Sequence, residues 1–164
     1  MVREMYMDYD GSMKIKRITE VGVAVHDLEA STRLFVDLLG AEPGPLVDMP
    51  RYNMRYRMCR VGKIDFELME PVGTEGPIAN FLKARGEGLH HIAFAVEDLG
   101  KGMIALKRQG VRFVNDQPLE DYAPCVDYAG HPVSGQSKFT FSVPSSISGI
   151  LFEFIQYPGE YQTP

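Results

Sequence analysis

Four residues of this 164-residue chain have the types and spacing to do chemistry together: Glu20, Glu67, His91 and Glu153. They sit at matched places in two copies of one pattern. Glu20-Val-Gly-Val-Ala-Val-His-Asp-Leu-Glu29 aligns without a gap on His91-Ile-Ala-Phe-Ala-Val-Glu-Asp-Leu-Gly100, and Ile64-Asp-Phe-Glu67-Leu-Met aligns on Ile150-Leu-Phe-Glu153-Phe-Ile. A tandem duplication that pairs about a pseudo-two-fold axis brings equivalent positions of its copies to one shared site. Carboxylate oxygens and an imidazole nitrogen meeting there can hold a divalent cation.

Each residue also has a plainer reading. His91 taken alone fits a hydrogen-bonded core histidine, and His90 a surface one. Glu67 and Glu153 interrupt apolar strands, where an unpaired buried carboxylate is costly, so they require a cation, an arginine partner or a solvent-facing edge. Glu20 reads either as a ligand or as an extra negative charge marking lost metal binding.

The elements that must position these residues follow from periodicity. Val21, Val23 and Val25 alternate with Gly22 and Ala24, as in a strand covered on one face and closely approached on the other. Asp27 is a candidate N-cap for a helix with Leu28, Leu34, Phe35, Leu38 and Leu39 on its apolar face, stopped by Gly40. Residues 41–50, rich in proline, read as a loop at the site. Strands over about 53–61 and 64–70 join at Gly62-Lys63 as a hairpin. Gly76-Pro77 opens a short helix over 78–84, and the second copy repeats the plan. There, 90–96 reads as a strand and Asp98 as a cap, with Leu99, Met103, Ile104 and Leu106 on a helix ended by Gly110. Strands follow at 111–114, 137–143 and 149–156, and residues 117–136 read as a lid or side wall.

The resulting division is an N-terminal extension (1–15), a first module (16–72), a linker with a short helix (73–88), a second module (89–158) and a tail (159–164). With two modules of β-α-β-β-β pattern, the fold class expected is α+β.

Composition narrows the partners. A formal net charge of -5 disfavours nucleic acid and anionic membranes, which need a basic face. Cys59 and Cys125 are too few and too far apart for a disulfide framework or a Cys-x-x-Cys metal site. No apolar run has membrane-spanning length or the form of a signal peptide, so a cytoplasmic protein is expected. His26 and His131 have no matching partner and are expected on the surface or the long loop.

The paired modules, Val21-Gly-Val-Ala-Val-His-Asp-Leu-Glu29 and Gly88-Leu-His-His-Ile-Ala-Phe-Ala-Val96 resemble the vicinal oxygen chelate superfamily of glyoxalases and bleomycin-resistance proteins. Phe66-Glu-Leu-Met-Glu-Pro71, Gly76-Pro-Ile-Ala-Asn-Phe-Leu82 and Gly86-Glu-Gly-Leu-His-His91 are most similar to its methylmalonyl-CoA epimerase branch. The resemblance implies a curved mixed sheet forming a cup, a homodimer, and a divalent metal held by Glu20, Glu67, His91 and Glu153. The ligand set leaves Co, Mn, Ni, Fe, Mg and Zn open. It also implies an epimerase or isomerase that abstracts an α-proton from an acyl thioester such as methylmalonyl-CoA.

On that resemblance Glu153 is the expected base and Glu67 a second one, with Asp48, Arg51 and Arg57 as candidate substrate-binding groups. The chain departs from the epimerase branch in three places. Glu20 stands where histidine is usual, Asp48-Met-Pro-Arg-Tyr-Asn53 holds no glutamate where a second catalytic one is usual, and Val143-Pro-Ser145 replaces a His-Pro-Lys segment. Three other outcomes stay open: a specialised biosynthetic cyclase or isomerase, a non-catalytic small-molecule binder, and a ring-cleaving dioxygenase, against which Glu20 and Glu67 count.

Overall fold

The computed structural model describes residues 12–121, 125–126, 132–133 and 136–158. In chain order the elements are β1 (Ile15–Ala24), α1 (Leu28–Leu39), β2 (Glu42–Met49), β3 (Met54–Val61), β4 (Ile64–Pro71), α2 (Pro77–Arg85) and β5 (Gly88–Val96). They continue with α3 (Leu99–Arg108), β6 (Leu119–Asp121), β7 (Cys125–Val126), β8 (Pro132–Val133), β9 (Ser137–Phe141) and β10 (Phe152–Gln156).

Eight strands form one mixed sheet in the order β2-β3-β4-β1-β5-β10-β9-β6. The seam is the antiparallel pair β1 and β5, and each of these has a parallel neighbour, β4 for β1 and β10 for β5. Reading outward from the seam gives β1-β4-β3-β2 on one side and β5-β10-β9-β6 on the other. The duplication is therefore visible in the strand order, and the α+β fold expected from it is the one adopted.

Strand alternation divides the residues between two faces. One face packs on α1 and α3: Leu28 of α1 clusters with Cys59 and Leu68, and Leu99 and Met103 of α3 with Val96 and Phe154. The opposite face lines a cavity of about 750 Å3. Helix starts are set as the sequence indicates, because Asp27 accepts a hydrogen bond from the Ala30 N–H and Asp98 one from the Lys101 N–H. Gly40 ends α1 with φ 63°, a left-handed conformation that suits glycine.

Several expectations are corrected. Residues 42–49 form strand β2 rather than a loop; Pro43 and Pro45 are tolerated because β2 lies at the sheet edge, and pairing with β3 shifts register between Pro43 and Leu46. Met13, assigned from sequence to the N-terminal extension, is buried in the core with Val96, Leu99 and Met103. Leu34, Leu38 and Leu39 of α1 are exposed, and the buried contacts of that helix come from Leu28 and Thr32. Of the strand expected at 111–114 only a single bridge forms, between Phe113 and Ser142.

Within 117–136, β6 joins the main sheet beside β9, and β7 pairs with β8. Residues 122–124, 127–131 (with His131) and 134–135 of that stretch, residues 1–11 and the tail from 159 lie outside the described residues. No helix among the described residues is long and apolar enough to cross a membrane.

Candidate active site

The four central strands β4, β1, β5 and β10 each contribute one of the four paired residues to the cavity face: Glu67, Glu20, His91 and Glu153 in turn. Gly22 is the register partner of Glu67 on one side and of His91 on the other. With no side chain at that position, the His91 ring lies over the strand. A Cβ on Gly22 would stand 2.2 Å from its Cε1 and 2.3 Å from its Nδ1.

Two β-bulges aim the remaining groups. Pairing of β1 with β5 shifts between Ile18 and Val21, so Thr19 and Glu20, although adjacent, both line the cavity. It shifts again where Gly22 opposite His91 is followed by Val23 opposite Leu89, which places the extra residue at His90. His90 and His91 accordingly face the same cavity, and their Nδ1 atoms are 2.9 Å apart.

His91 Nε2 lies 3.1 Å from Oε2 of Glu153 and 3.5 Å from Oε2 of Glu67. It is buried, and neither contact has the alignment of a hydrogen bond. Donor atoms of Glu20, His91 and Glu153 all fall within 4.8 Å of one another, and Glu67 joins this triad through His91. All four side chains are nearly or mostly buried.

Their electrostatics are those of carboxylates crowded together and largely buried. Burial pushes Glu20 up to about 8, helped by the charges of Glu153 and then Glu67. Burial likewise pushes Glu67 up to about 7, with Glu153 adding to the effect and His91 opposing it. Burial alone would lower His91, but its contact with Glu153 and the charges of Glu153, Glu67 and Glu20 outweigh that and raise it to about 9. His90 is lowered to about 4 by burial, then by the positive charge of His91 and of Arg85.

A divalent cation fits this arrangement. It would take oxygens from Glu20, Glu67 and Glu153 and the lone pair of the otherwise unpartnered His91 Nε2, and it would offset the cost of burying charge that raises Glu20 and Glu67.

Three residues expected at the site lie elsewhere. Arg57 points to the helix-covered face, where its Nη2 donates to Oε1 of Glu29 at 2.7 Å. Asp48 is exposed opposite Arg55 in register, while its neighbours Val47 and Met49 line the cavity. Arg51 is exposed with its guanidinium 5.5 Å from the Tyr52 ring centre. In each case strand or turn geometry decides the direction, and the sequence could not tell which alternate set faced inward.

Residues that the sequence reading passed over take their place. Arg60 donates through Nε and Nη2 to both carboxylate oxygens of Asp65, at 2.8 Å each, and the pair lines the cavity one pleat beyond Met58 and Glu67. Met49, Met54, Tyr56 and Met58 form an apolar wall beside it. Alternation from Glu67 back to Asp65, and from Met58 on to Arg60, was the available signal. His90, read from sequence as a surface residue, is partly buried between His91 and the Phe81 ring.

Comparison with known proteins places these features. Residues 19–127 match the profile of the glyoxalase/bleomycin resistance protein/dioxygenase superfamily. The chain is 34% identical to the ethylmalonyl-CoA/methylmalonyl-CoA epimerase of Cereibacter sphaeroides over 143 residues, covering 87% of this chain and 98% of that protein. The crystal structure of methylmalonyl-CoA epimerase from Mycobacterium tuberculosis superposes with a TM-score of 0.73 at 25% identity, covering 95% of this chain and 96% of that one. A variant of the Streptomyces coelicolor methylmalonyl-CoA epimerase in complex with 2-nitronate-propionyl-CoA also superposes with a TM-score of 0.73 at 25% identity, covering 92% of this chain and all of that one.

Proposed function

The chain belongs to the glyoxalase/bleomycin resistance protein/dioxygenase superfamily, and from that premise we propose that it is a metal-dependent epimerase acting on a methylmalonyl-CoA-like acyl thioester. The observation that carries the reading is the meeting of three largely buried carboxylates around His91, on four adjacent strands. Glu20, Glu67, His91 and Glu153 would hold the cation, which when bound supplies Lewis-acid polarisation of substrate oxygens and so makes a carbon between two carbonyls acidic enough to ionise.

The protein's own groups then carry the proton. Glu153 takes the α-proton from one face of the substrate carbon. Glu67, related to Glu153 by the pseudo-two-fold and facing the same cavity, returns one to the other face. A carbon between the two carboxylates inverts. The departure at 48–53 fits this division of labour: Asp48 points away from the cavity and Met49 points in. The apolar wall of Met49, Met54, Tyr56 and Met58 excludes water from the ionised carbon and gives room for its substituent.

The test is α-proton exchange. Incubation of methylmalonyl-CoA and ethylmalonyl-CoA in deuterated buffer with the metal-loaded protein should incorporate deuterium at the α-carbon, read by mass spectrometry. Tight binding of either thioester with no exchange favours the non-catalytic binder instead. The exposed apolar side chains of Leu34, Leu38 and Leu39 on α1 support a further proposal, that two copies of the chain associate; light scattering of the purified protein tests it.

A further inference from the structure

The β-bulge at His90 has a local consequence. In a regular strand adjacent side chains point to opposite faces, so His90 would face the side covered by α1 and α3 when His91 faces the cavity. The register shift between Gly22/His91 and Val23/Leu89 instead turns both imidazoles to one side. There the edge of the Phe81 ring, 4.9 Å between centroids, braces His90, and its Nδ1 sits 2.9 Å from the Nδ1 of His91.

At that separation one Nδ1 must carry a proton and the other must accept it, because two lone pairs or two N–H groups would repel. The opposite nitrogen of His91, Nε2, is the one facing Glu153 and Glu67. A neutral imidazole has a single N–H. If Nε2 is to keep its lone pair for a cation, the proton belongs on Nδ1, and a neutral His90 protonated on Nε2 is the acceptor that keeps it there.

We propose that His90 is a positioning residue, which accepts a hydrogen bond from His91 Nδ1–H and thereby fixes the His91 tautomer and ring orientation that present Nε2 to a divalent cation. This rests on the metal-dependent reading above. Ligating histidines in general donate their second N–H to a neighbouring acceptor, commonly a carboxylate or carbonyl. Here the acceptor is an imidazole, and the acceptor is adjacent in sequence because a bulge allows it. A neutral acceptor adds no further negative charge beside a centre that already contains three carboxylates.

The experiment compares Co(II) affinity, by competition with a chromophoric chelator, in the parent, His90→Phe and His90→Asn. Phenylalanine fills the space without an acceptor, and the Asn Oδ1 stands close to where Nδ1 was. Expected is a loss of about 10- to 100-fold in His90→Phe, as for other groups that orient a metal ligand, with most of it recovered in His90→Asn. A structural role alone predicts loss in both variants. A second measurement needs no variant: proton NMR of the Co(II)-loaded parent should show one hyperfine-shifted, solvent-exchangeable signal, the His91 Nδ1–H. Unchanged affinity in His90→Phe, equal loss in both variants, or absence of that signal overturns the inference while leaving the metal-dependent reading intact. Failure of the parent to bind Co(II) overturns both.

Discussion

The imidazole of His91 occupies the space that a side chain on Gly22 would need, with its Cε1 2.2 Å from the position of the missing Cβ. The two residues face each other across β1 and β5, and Glu67 flanks Gly22 on the other side. An apparently weak strand residue thus creates the depression in which the ring lies beside its carboxylates. Gly22→Ala should therefore do the opposite of what strand propensity suggests. Thermal unfolding should report a loss of about 1–3 kcal/mol, the range for overpacking a filled site, and the metal content of the purified variant should fall well below that of the parent.

Glu153 and Glu67 differ in role on this account, and isosteric amides separate them. Glu153→Gln removes the base for one epimer while keeping one oxygen, so exchange of that epimer's α-proton should drop by about a hundred- to ten-thousand-fold. Glu67→Gln should leave Glu153 able to take a proton and return a deuteron to the same face. One epimer of methylmalonyl-CoA should then exchange without inverting, which chiral analysis beside mass spectrometry detects. Equal loss of exchange and inversion in both variants, with metal retained, contradicts the two-base arrangement.

The crowded carboxylates give a direction to the pH dependence. Glu20 and Glu67 are raised from 4.5 to about 8 and about 7, and His91 from 6.5 to about 9. In the cation-free protein each group binds its proton more tightly when folded than when unfolded. Its stabilisation is complete below the unfolded value and is lost as pH rises through the folded one. The unfolding midpoint of chelated protein should accordingly fall between about pH 5 and pH 9. Added divalent metal displaces the same protons, so the rise in midpoint that it produces should grow over that window. A chelated protein that becomes more stable toward pH 9 contradicts the coupling.

Arg57 ties β3 to α1 through Glu29 and does not reach the cavity. Arg57→Met should leave the KM for the thioester unchanged and shift stability by less than about 1 kcal/mol, as for a partly exposed ion pair. Arg55 and Glu70 form a contact on the same face, and a Glu70 oxygen also accepts the Leu28 N–H at the start of α1. Glu70→Ala should therefore destabilise the fold more than Arg57→Met while leaving metal affinity in place; circular dichroism melts and chelator competition check both.

Much of the centre could be read from the chain because duplication marks it twice. Glu20 and Glu67 repeat at His91 and Glu153, so equivalence pointed to a shared site before any strand was placed, and Asp27 and Asp98 announced their helices by the same repetition. What stayed hidden depends on which face a strand turns inward. Arg55 and Arg57 alternate with Met54, Tyr56 and Met58, and only the packing of α1 decides which set lies on its side of the sheet. The bulges that turn Thr19 and His90 toward the cavity leave no mark on hydrophobic periodicity. Strand β2 was hidden by Pro43 and Pro45, which an interior strand would reject and an edge strand accepts.

The most direct test follows deuterium entry at the α-carbon of methylmalonyl-CoA with the parent protein, first as purified with metal, then after chelation, then after metal is returned. The account predicts exchange, its loss and its recovery, with the recovery absent in His91→Ala. Exchange that persists at full rate in thoroughly chelated protein, or that fails with every divalent metal from Mg to Zn, would contradict it.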